Sequence, residues 1–146
     1  MALTLTLKPN EYLIVNGCVI RNASRRQTLH VENRADIIRG QDLILENDAD
    51  TPTKRICFMI QKALAQPEFR DRLNKKIQTG LAQLVGTFGF DVQSNIFEAA
   101  NYVSQADYYR AFVSLKPVLK HEAKLFLLLE APQTHSQGEL SQATSV

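Results

Sequence analysis

The residue types that most often carry enzyme chemistry are sparse in this sequence. The three histidines, His30, His121 and His135, are scattered, and no two of them have the spacing of a metal-ligand pair. The pair His121-Glu122 begins like a zinc-protease motif, but the second histidine of that motif is missing. The dispersed glycines form neither a phosphate-binding loop nor a dinucleotide fingerprint. We therefore predict no catalytic residues and no bound metal or cofactor.

The two cysteines, Cys18 and Cys57, lie within apolar patterns, which favours buried thiols in a reducing compartment. Lys54 and Arg55 precede Cys57 but face outward on the predicted helix, so we do not predict a redox thiol. The N-terminus lacks the basic and apolar regions of a signal peptide. The densest apolar run, 125–129, is far shorter than the roughly 18 residues that a membrane span needs. We expect a cytoplasmic protein without a membrane segment.

Arginines are the more informative side chains. A planar guanidinium suits phosphates and guanine edges better than the ammonium of lysine does. The net charge of +2 excludes a polycation that holds nucleic acid by overall charge, so binding would need a local patch. A solvated loop face remains the alternative. The candidate patch consists of Arg21, Arg25, Arg26, Arg34 and Arg39.

Tyrosines form a second candidate surface, at Tyr102, Tyr108 and Tyr109 in the helical part of the chain. Aromatic residues at helical spacing usually belong to a core. The alternative is an amphipathic groove that binds a protein partner.

The first part of the chain has the period of two that is typical of strands. Leu3, Leu5 and Leu7 alternate with polar residues, which predicts a half-buried strand. The sequence Asn16-Gly17 between two apolar runs predicts a β-hairpin with a type I′ turn. This hairpin pairs Val15 with Cys18, Leu13 with Ile20, and Ile14 with Val19. Both of its faces are apolar, so we expect helices to cover one face and either more sheet or a second subunit to cover the other.

Two further strands are predicted before residue 40. The segment 28–32 alternates again, which places Leu29 and Val31 inward, and a short strand follows at 36–39.

The pattern becomes helical after residue 50. Thr51-Pro52 predicts the start of the first helix, and Gly86 predicts the end of the second. Asp91 is the predicted N-cap of the third helix, and Pro117 predicts a break after the fourth. We predict an α+β fold: a small N-terminal antiparallel β-lobe of four to five strands, followed by a helical lobe of four to five helices. The predicted boundaries are 1–50 for the β-lobe, 51–130 for the helical lobe and 131–146 for a flexible tail.

Several segments resemble the flagellum biosynthesis repressor family FlbT. They are Leu5–Glu11, Asn16–Asn22, Thr51–Arg55 and Ala106–Phe112, and the resemblance covers about residues 2 to 130. It implies a post-transcriptional regulator that binds the 5′ untranslated leader of flagellin mRNA and controls its translation and decay. Because members of the family include activators as well as repressors, the sign of regulation stays open.

The N-terminal segment is also similar to the carbon storage regulator family of small β-rich mRNA-binding dimers. The similarity rests on Leu3-Thr4, Lys8, Glu11, the strand 13–15 and the segment 36–39. It implies that Thr4 and Lys8 lie near Arg39, which would contact RNA, in the same chain or across a dimer. The sequence departs from that family at Leu5, where a basic residue is usual.

Two hypotheses follow. In the first, the protein binds RNA through Thr4, Lys8, Arg21, Arg25, Arg26, Arg34 and Arg39, with phosphates supplying affinity and base edges supplying selectivity. Because the net charge is low, a homodimer with two such patches would strengthen binding. In the second, the helical lobe binds flagellin or another flagellar regulator through the three tyrosines, and any effect on the mRNA is indirect.

Overall fold

The structure, a computed structural model, describes residues 2–144, with side chains from residue 2 to residue 130. Within these residues five strands precede five α-helices, which confirms the predicted α+β fold. The strands are β1 (Leu3–Leu7), β2 (Tyr12–Val15), β3 (Cys18–Arg21), β4 (Gln27–Val31) and β5 (Ile37–Ile38). The helices are α1 (Pro52–Ala65), α2 (Arg70–Thr87), α3 (Phe90–Ser104), α4 (Tyr108–Ser114) and α5 (Lys116–Thr144).

The strands form two small antiparallel sheets. β1 pairs with β4 in one sheet, and β2 lies between β3 and β5 in the other. The β2–β3 hairpin has the predicted register, with Val15 beside Cys18. Asn16 and Gly17 have φ angles of 49° and 81°, as a type I′ turn requires.

The two faces of β2 contact different parts of the molecule. Leu13 packs with Leu5 and Leu7 of β1 in a small core between the two sheets. Ile14 belongs to the main core, together with Ile38 of β5 and the inward faces of the helices. For β2, the expected coverage by helices on one face and by sheet on the other is therefore confirmed.

The edge strands are less covered than the sequence predicts. Cys18, Val19 and Ile20 of β3 are all exposed, and Leu29 of β4 is 41% exposed, so the predictions of a buried Cys18 and an inward Leu29 are wrong. The reason is the division into two small sheets. Each sheet leaves β3 or β4 as an edge strand with one neighbour.

The start of α1 follows the local signals. The Thr51 hydroxyl accepts the backbone N–H of Lys54, and Pro52 is the first helical residue. Pro117 is the second residue of α5, where a missing N–H costs no helical bond, so the predicted break before it is confirmed.

Two helix boundaries differ from the sequence prediction. α2 continues through Gly86 to Thr87. The side chains of Leu84 and Phe88 are both buried, and the Phe88 N–H still donates to the Leu84 carbonyl, so the helical hydrogen bonding extends past the glycine. α3 begins at Phe90, so Asp91 lies in its first turn and does not cap it. A carboxylate in the first turn still interacts favourably with the helix dipole.

α5 is joined to the start of α1 by a buried carboxylate. Glu122 is 3% exposed, and its Oε1 accepts the Thr51 hydroxyl while its Oε2 accepts the Thr53 backbone N–H at 3.0 Å. The residue that followed His121 in an incomplete zinc-protease pattern thus binds the N-terminus of a helix.

The backbone of α5 extends to Thr144, which is inside the segment 131–146 that we predicted to be a flexible tail. The side chains of that segment lie outside the described residues, so its flexibility stays a prediction. The lobe boundaries at residues 50 and 130 also stay predictions.

Candidate nucleic-acid interface

The loop 22–26 holds two exposed arginines against the end of β1. Asn22 anchors this loop: it is 8% exposed, and its Nδ2 donates to the carbonyl oxygens of Lys8 at 2.8 Å and of Arg25 at 2.9 Å. A buried amide that satisfies two backbone carbonyls fixes the chain at both. Lys8, Arg25 and Arg26 are all exposed, so three cations are gathered at one corner of the β-lobe.

Glu11 organises the other side of this corner. Its Oε1 accepts the backbone N–H of Lys8 at 2.9 Å, and its Oε2 accepts the Arg39 guanidinium at 3.2 and 3.3 Å. The Lys8 N–H bond, and to a smaller extent Arg39, lower the pKa of Glu11, although partial burial opposes them. Glu11 is therefore ionised at neutral pH and pairs with Arg39.

Arg39 connects strands as well as contributing charge. Its Nη2 also donates to the carbonyl of Thr6 at 2.9 Å, which ties the end of β5 to β1. The next residue, Gly40, lies so close to β2 that a Cβ there would meet the Tyr12 carbonyl oxygen at 2.8 Å. Arg39 was predicted to contact RNA, but its side chain is only 28% exposed and is already bound to Glu11. Its first role in this structure is to hold the corner together.

Arg21 completes the corner from the opposite side. It is exposed and lies beside Tyr12 in the β2–β3 register. The next residue is Asn22, so Arg21 leads directly into the anchored loop. We call the whole group the basic edge; it consists of Lys8, Arg21, Arg25, Arg26 and Arg39.

Two predicted interface residues lie elsewhere. β4 runs antiparallel to β1, with Val31 beside Leu3, so Arg34 follows β4 at the far end of β1. Thr4 is near the same end, where its hydroxyl is 3.3 Å from Nδ1 of His30. A strand of this length separates its ends by about 13 Å. The structure therefore brings Lys8 together with Arg39, as the second resemblance implies, and leaves Thr4 and Arg34 outside the basic edge.

A cleft of about 980 Å³ opens beside the basic edge, between the second sheet and α1. Lys8 and Arg39 line one side of it and Lys62 lines the other, with the half-exposed Tyr12 between them. The acidic turn Glu46–Asp48 is also part of the rim. The cleft can thus receive a flat group against Tyr12, and its lining favours anionic groups near the cations and disfavours them near the acidic turn.

Tyr12, Glu11 and Asn22 are the site residues that the sequence analysis missed. Tyr12 begins the apolar run 12–15, a pattern that indicates a strand and gives no sign of a binding surface. The sequence does contain one signal for Asn22. Asparagine side chains often form hydrogen bonds to nearby backbone groups, and this asparagine lies directly after a strand and before an arginine pair. The Glu11–Arg39 pair spans 28 positions, and nothing local indicates it.

The tyrosine surface is not formed as predicted. Tyr108 is 2% exposed, and its hydroxyl accepts Nδ2 of Asn74 at 3.0 Å. Tyr109 donates to the carbonyl of Ile37 at 3.4 Å, and both Tyr102 and Tyr109 pack against the main core. The prediction that Tyr108 offers a binding surface is wrong, because tertiary packing uses its ring and its hydroxyl inside the helical lobe.

The described residues offer no reactive thiol in the core and no metal cluster. Burial, and secondarily the charge of Glu122, raise the pKa of the Cys57 thiol, so it stays protonated. Within residues 2–130, no three His, Cys, Asp or Glu side chains are grouped as metal ligands. In the same part of the chain, no helix is long and apolar enough to cross a membrane.

The Glu11 contacts predict an acid-sensitive corner. A carboxylate whose folded-state pKa is lowered from its ordinary 4.5 stabilises the fold above that pH, and this contribution is lost as the pH falls through the folded-state pKa. We expect Glu11→Gln to lower the free energy of unfolding at neutral pH by about 1 kcal/mol. We also expect the variant to lose less stability than the parent between neutral pH and about pH 3. Urea unfolding at both pH values measures this, and parallel pH dependence in the two proteins would contradict it.

Comparisons with known proteins agree on one family. The sequence model of the family described as "Flagellar protein FlbT" matches residues 3–126. A "Probable flagellum biosynthesis repressor protein FlbT" of Caulobacter sp. (strain K31) is 28% identical over 123 residues, which are 84% of this chain and 94% of that protein. The protein of the same name from Rhodopseudomonas palustris (strain TIE-1) is 30% identical over 128 residues, 86% of this chain and 98% of that protein. No solved structure matches the chain significantly.

Proposed function

The chain belongs to the FlbT family of flagellar proteins, and on that premise we propose that it binds the 5′ untranslated leader of flagellin mRNA and controls its translation and decay. The names of its relatives support the coarser statement, that it is a regulator of flagellum biosynthesis.

The observation that carries the RNA proposal is the loop held by Asn22. Exposed arginines on a mobile loop would lose conformational entropy on binding, whereas the Asn22 bonds to the Lys8 and Arg25 carbonyls have already fixed this loop. The cations gathered there suit the phosphates of an unpaired strand. The net charge of +2 makes such a focused arrangement necessary.

Tyr12 adds a means of reading unpaired bases. Its side chain is 49% exposed and lies beside Arg21 in the sheet. Single-stranded RNA is recognised chiefly by stacking on aromatic rings and by hydrogen bonds to splayed bases. Tyr12 and Arg21 together therefore favour an unpaired leader segment over a duplex. A protein bound there changes the access of ribosomes and nucleases to the message.

The alternative function, a helical-lobe module that binds flagellin through Tyr102, Tyr108 and Tyr109, has less support. The burial of Tyr108 removes the centre of that surface. Its test remains a pulldown with flagellin after nuclease treatment.

Removing the two loop arginines tests the RNA proposal. We expect Arg25→Ala/Arg26→Ala to weaken binding to the flagellin leader at least about 30-fold at low salt, and to reduce the salt slope by about 0.7 for each lost phosphate contact. Fluorescence anisotropy with labelled leader RNA across a salt series measures both quantities. A scrambled leader reports sequence selectivity.

The matched control removes the same charge elsewhere. Arg34→Ala/Arg55→Ala replaces two exposed arginines outside the basic edge, so we expect its affinity to stay within about threefold of the parent. If both double variants lost the same affinity for the leader, the effect would be explained by net charge alone. Unchanged affinity and slope in Arg25→Ala/Arg26→Ala would remove the loop from the interface.

A further inference from the structure

The cleft between the second sheet and α1 gathers exposed apolar side chains around one concave surface. Tyr12 is 49% exposed, Val19 54% and Leu45 65%, and all three line this cleft together with Phe58 of α1. Its volume of about 980 Å³ lies within the range of ligand-binding sites. Large apolar side chains that stay exposed in such a concave place indicate a binding surface.

Hydrogen bonds of the chain itself hold the walls of the cleft in place. The Gln61 side chain on α1 bonds to both backbone groups of Ile44: its Oε1 accepts the N–H at 2.9 Å, and its Nε2 donates to the carbonyl at 3.0 Å. These two bonds tie the segment before the acidic turn Glu46–Asp48 to α1. A cleft whose walls are already ordered loses little conformational entropy when a ligand binds.

Cations lie on both sides of Tyr12 in this cleft. Lys8 lines one side and Lys62 the other, and neither forms an ion pair within the part of the chain that the structure describes. The Lys62 ammonium lies 4.9 Å from the centre of the Phe69 ring, a contact that leaves its charge in place. A nucleotide within an RNA strand has a phosphate on each side of its sugar. Its base can therefore stack on Tyr12 while the two phosphates meet the two lysines.

The acidic turn favours one base over the others. Glu46 and Asp48 are exposed, line the same cleft and form no ion pair within residues 2–130. An ionised carboxylate only accepts hydrogen bonds. Guanine has two adjacent donors on its pairing edge, N1–H and N2–H, which one carboxylate can accept together. Adenine and cytosine offer one amino group there, and uracil presents two carbonyl oxygens around a single N–H.

We propose that this cleft binds a single unpaired guanine of the leader. The ring lies against Tyr12, the pairing edge faces the acidic turn, and the flanking phosphates meet Lys8 and Lys62. This inference rests on the proposed function, because it names the base that is recognised where the leader binds. An apolar peptide could use the same walls, but it has no use for lysines on two sides and carboxylates at a third.

Short RNAs that differ at one position test the base preference. We expect oligouridine of about ten nucleotides with one central guanosine to bind the full chain at least about tenfold more tightly than plain oligouridine. The versions with a central adenosine or cytidine should lie between them. Fluorescence anisotropy at low salt measures these affinities, with the flagellin leader as positive control. If the leader binds but all the oligomers bind equally, the guanine site is overturned and the proposed function stands. If neither the leader nor any oligomer binds, the proposed function fails, and the guanine site fails with it.

Removing the carboxylates without changing their shape tests the source of the preference. We expect Glu46→Gln/Asp48→Asn to reduce the guanine preference to less than about threefold, with plain oligouridine bound no more weakly than by the parent. The matched control Glu32→Gln/Asp71→Asn removes the same charge at exposed positions outside the cleft and should keep the preference. Circular dichroism confirms that both variants are folded. A preference that survives Glu46→Gln/Asp48→Asn, or that the control loses equally, overturns the proposal.

Lys62→Met tests the phosphate contact on the α1 side. The substitution keeps an unbranched chain beside Phe69 but removes the charge, so the guanosine oligomer should bind about fivefold more weakly with a salt slope reduced by about 0.7. The guanine preference should persist, because the lost charge acts on a phosphate and not on the base. Lys120→Met, at an exposed lysine of α5, is the control and should change neither quantity. Unchanged affinity and slope in Lys62→Met would overturn the placement of the strand across the cleft.

Discussion

Glu122→Ala is expected to lower the free energy of unfolding by about 2–4 kcal/mol. The substitution removes a carboxylate that is 3% exposed and that accepts the Thr51 hydroxyl and the Thr53 backbone N–H. Both donors would then be left near the buried junction of α1 and α5 without this acceptor. The loss also removes a negative charge from the N-terminus of α1, where it interacts favourably with the helix dipole. Urea unfolding followed by circular dichroism gives the change directly.

Two further variants separate the causes of this loss. Glu122→Gln keeps the volume and one accepting oxygen but loses the charge, so we expect an intermediate loss of about 1–2 kcal/mol. Glu98→Gln is the control: Glu98 is an exposed carboxylate on α3 that accepts one hydroxyl, from Ser114 at 2.8 Å. We expect Glu98→Gln to lower the free energy of unfolding by less than about 0.5 kcal/mol. The junction would have no special importance if Glu122→Ala cost no more than Glu98→Gln.

Features that depend on neighbouring residues were predictable from the sequence. The β2–β3 register follows from Asn16-Gly17, because both positions of the turn need positive φ and the flanking apolar runs have a period of two. The start of α1 follows from Thr51-Pro52 for the same kind of reason. The order of strands before helices needs only the change of hydrophobic period near residue 50.

Features that depend on distant residues were not predictable. The strands divide into two sheets because β1 pairs with β4 and not with β2. Local sequence patterns do not indicate which of these strands pair. The same limit applies to Glu122, whose donors at Thr51 and Thr53 are about 70 positions away in the chain. Tyr108 illustrates the opposite error: its type and spacing suited a binding surface, but its hydroxyl meets Asn74 within the helical lobe.

The candidate site shows both kinds of result. The arginine composition of the loop was visible at once, and it remains the basis of the RNA proposal. Which arginines act together was not visible, because Arg34 is separated from the others by the length of β1, and Arg39 is bound by Glu11. The two residues that assemble the corner, Glu11 and Asn22, are the ones whose roles depend on tertiary contacts.

Asn22 should therefore control RNA binding without contributing any charge to it. We expect Asn22→Ala to weaken leader binding at least about tenfold, because the loop 22–26 loses its bonds to the Lys8 and Arg25 carbonyls and must be ordered by the RNA. The formal charge of the protein is unchanged. Fluorescence anisotropy with the labelled leader measures the affinity, at a temperature where urea titration shows the variant to be folded.

The same substitution should cost stability. Its amide is buried, so we expect a loss of about 1–3 kcal/mol from the unsatisfied carbonyl groups. Asn33→Ala, at an exposed asparagine in the turn after β4, is the control for both measurements and should change neither appreciably. Asn22→Asp has nearly the same shape but replaces the donating amide by a carboxylate facing carbonyl oxygens, so it should be at least as damaging as alanine.

The salt dependence distinguishes a positioning role for Asn22 from a direct contact. Removing Arg25 and Arg26 deletes phosphate contacts and lowers the salt slope, whereas Asn22→Ala leaves all the cations in place. We therefore expect the Asn22→Ala protein to bind more weakly with nearly the parent slope, since the RNA can still meet the same charges after paying the ordering entropy. A slope reduced as far as in Arg25→Ala/Arg26→Ala would mean that the loop no longer reaches the RNA. An unchanged affinity would mean that the order of this loop is irrelevant to binding.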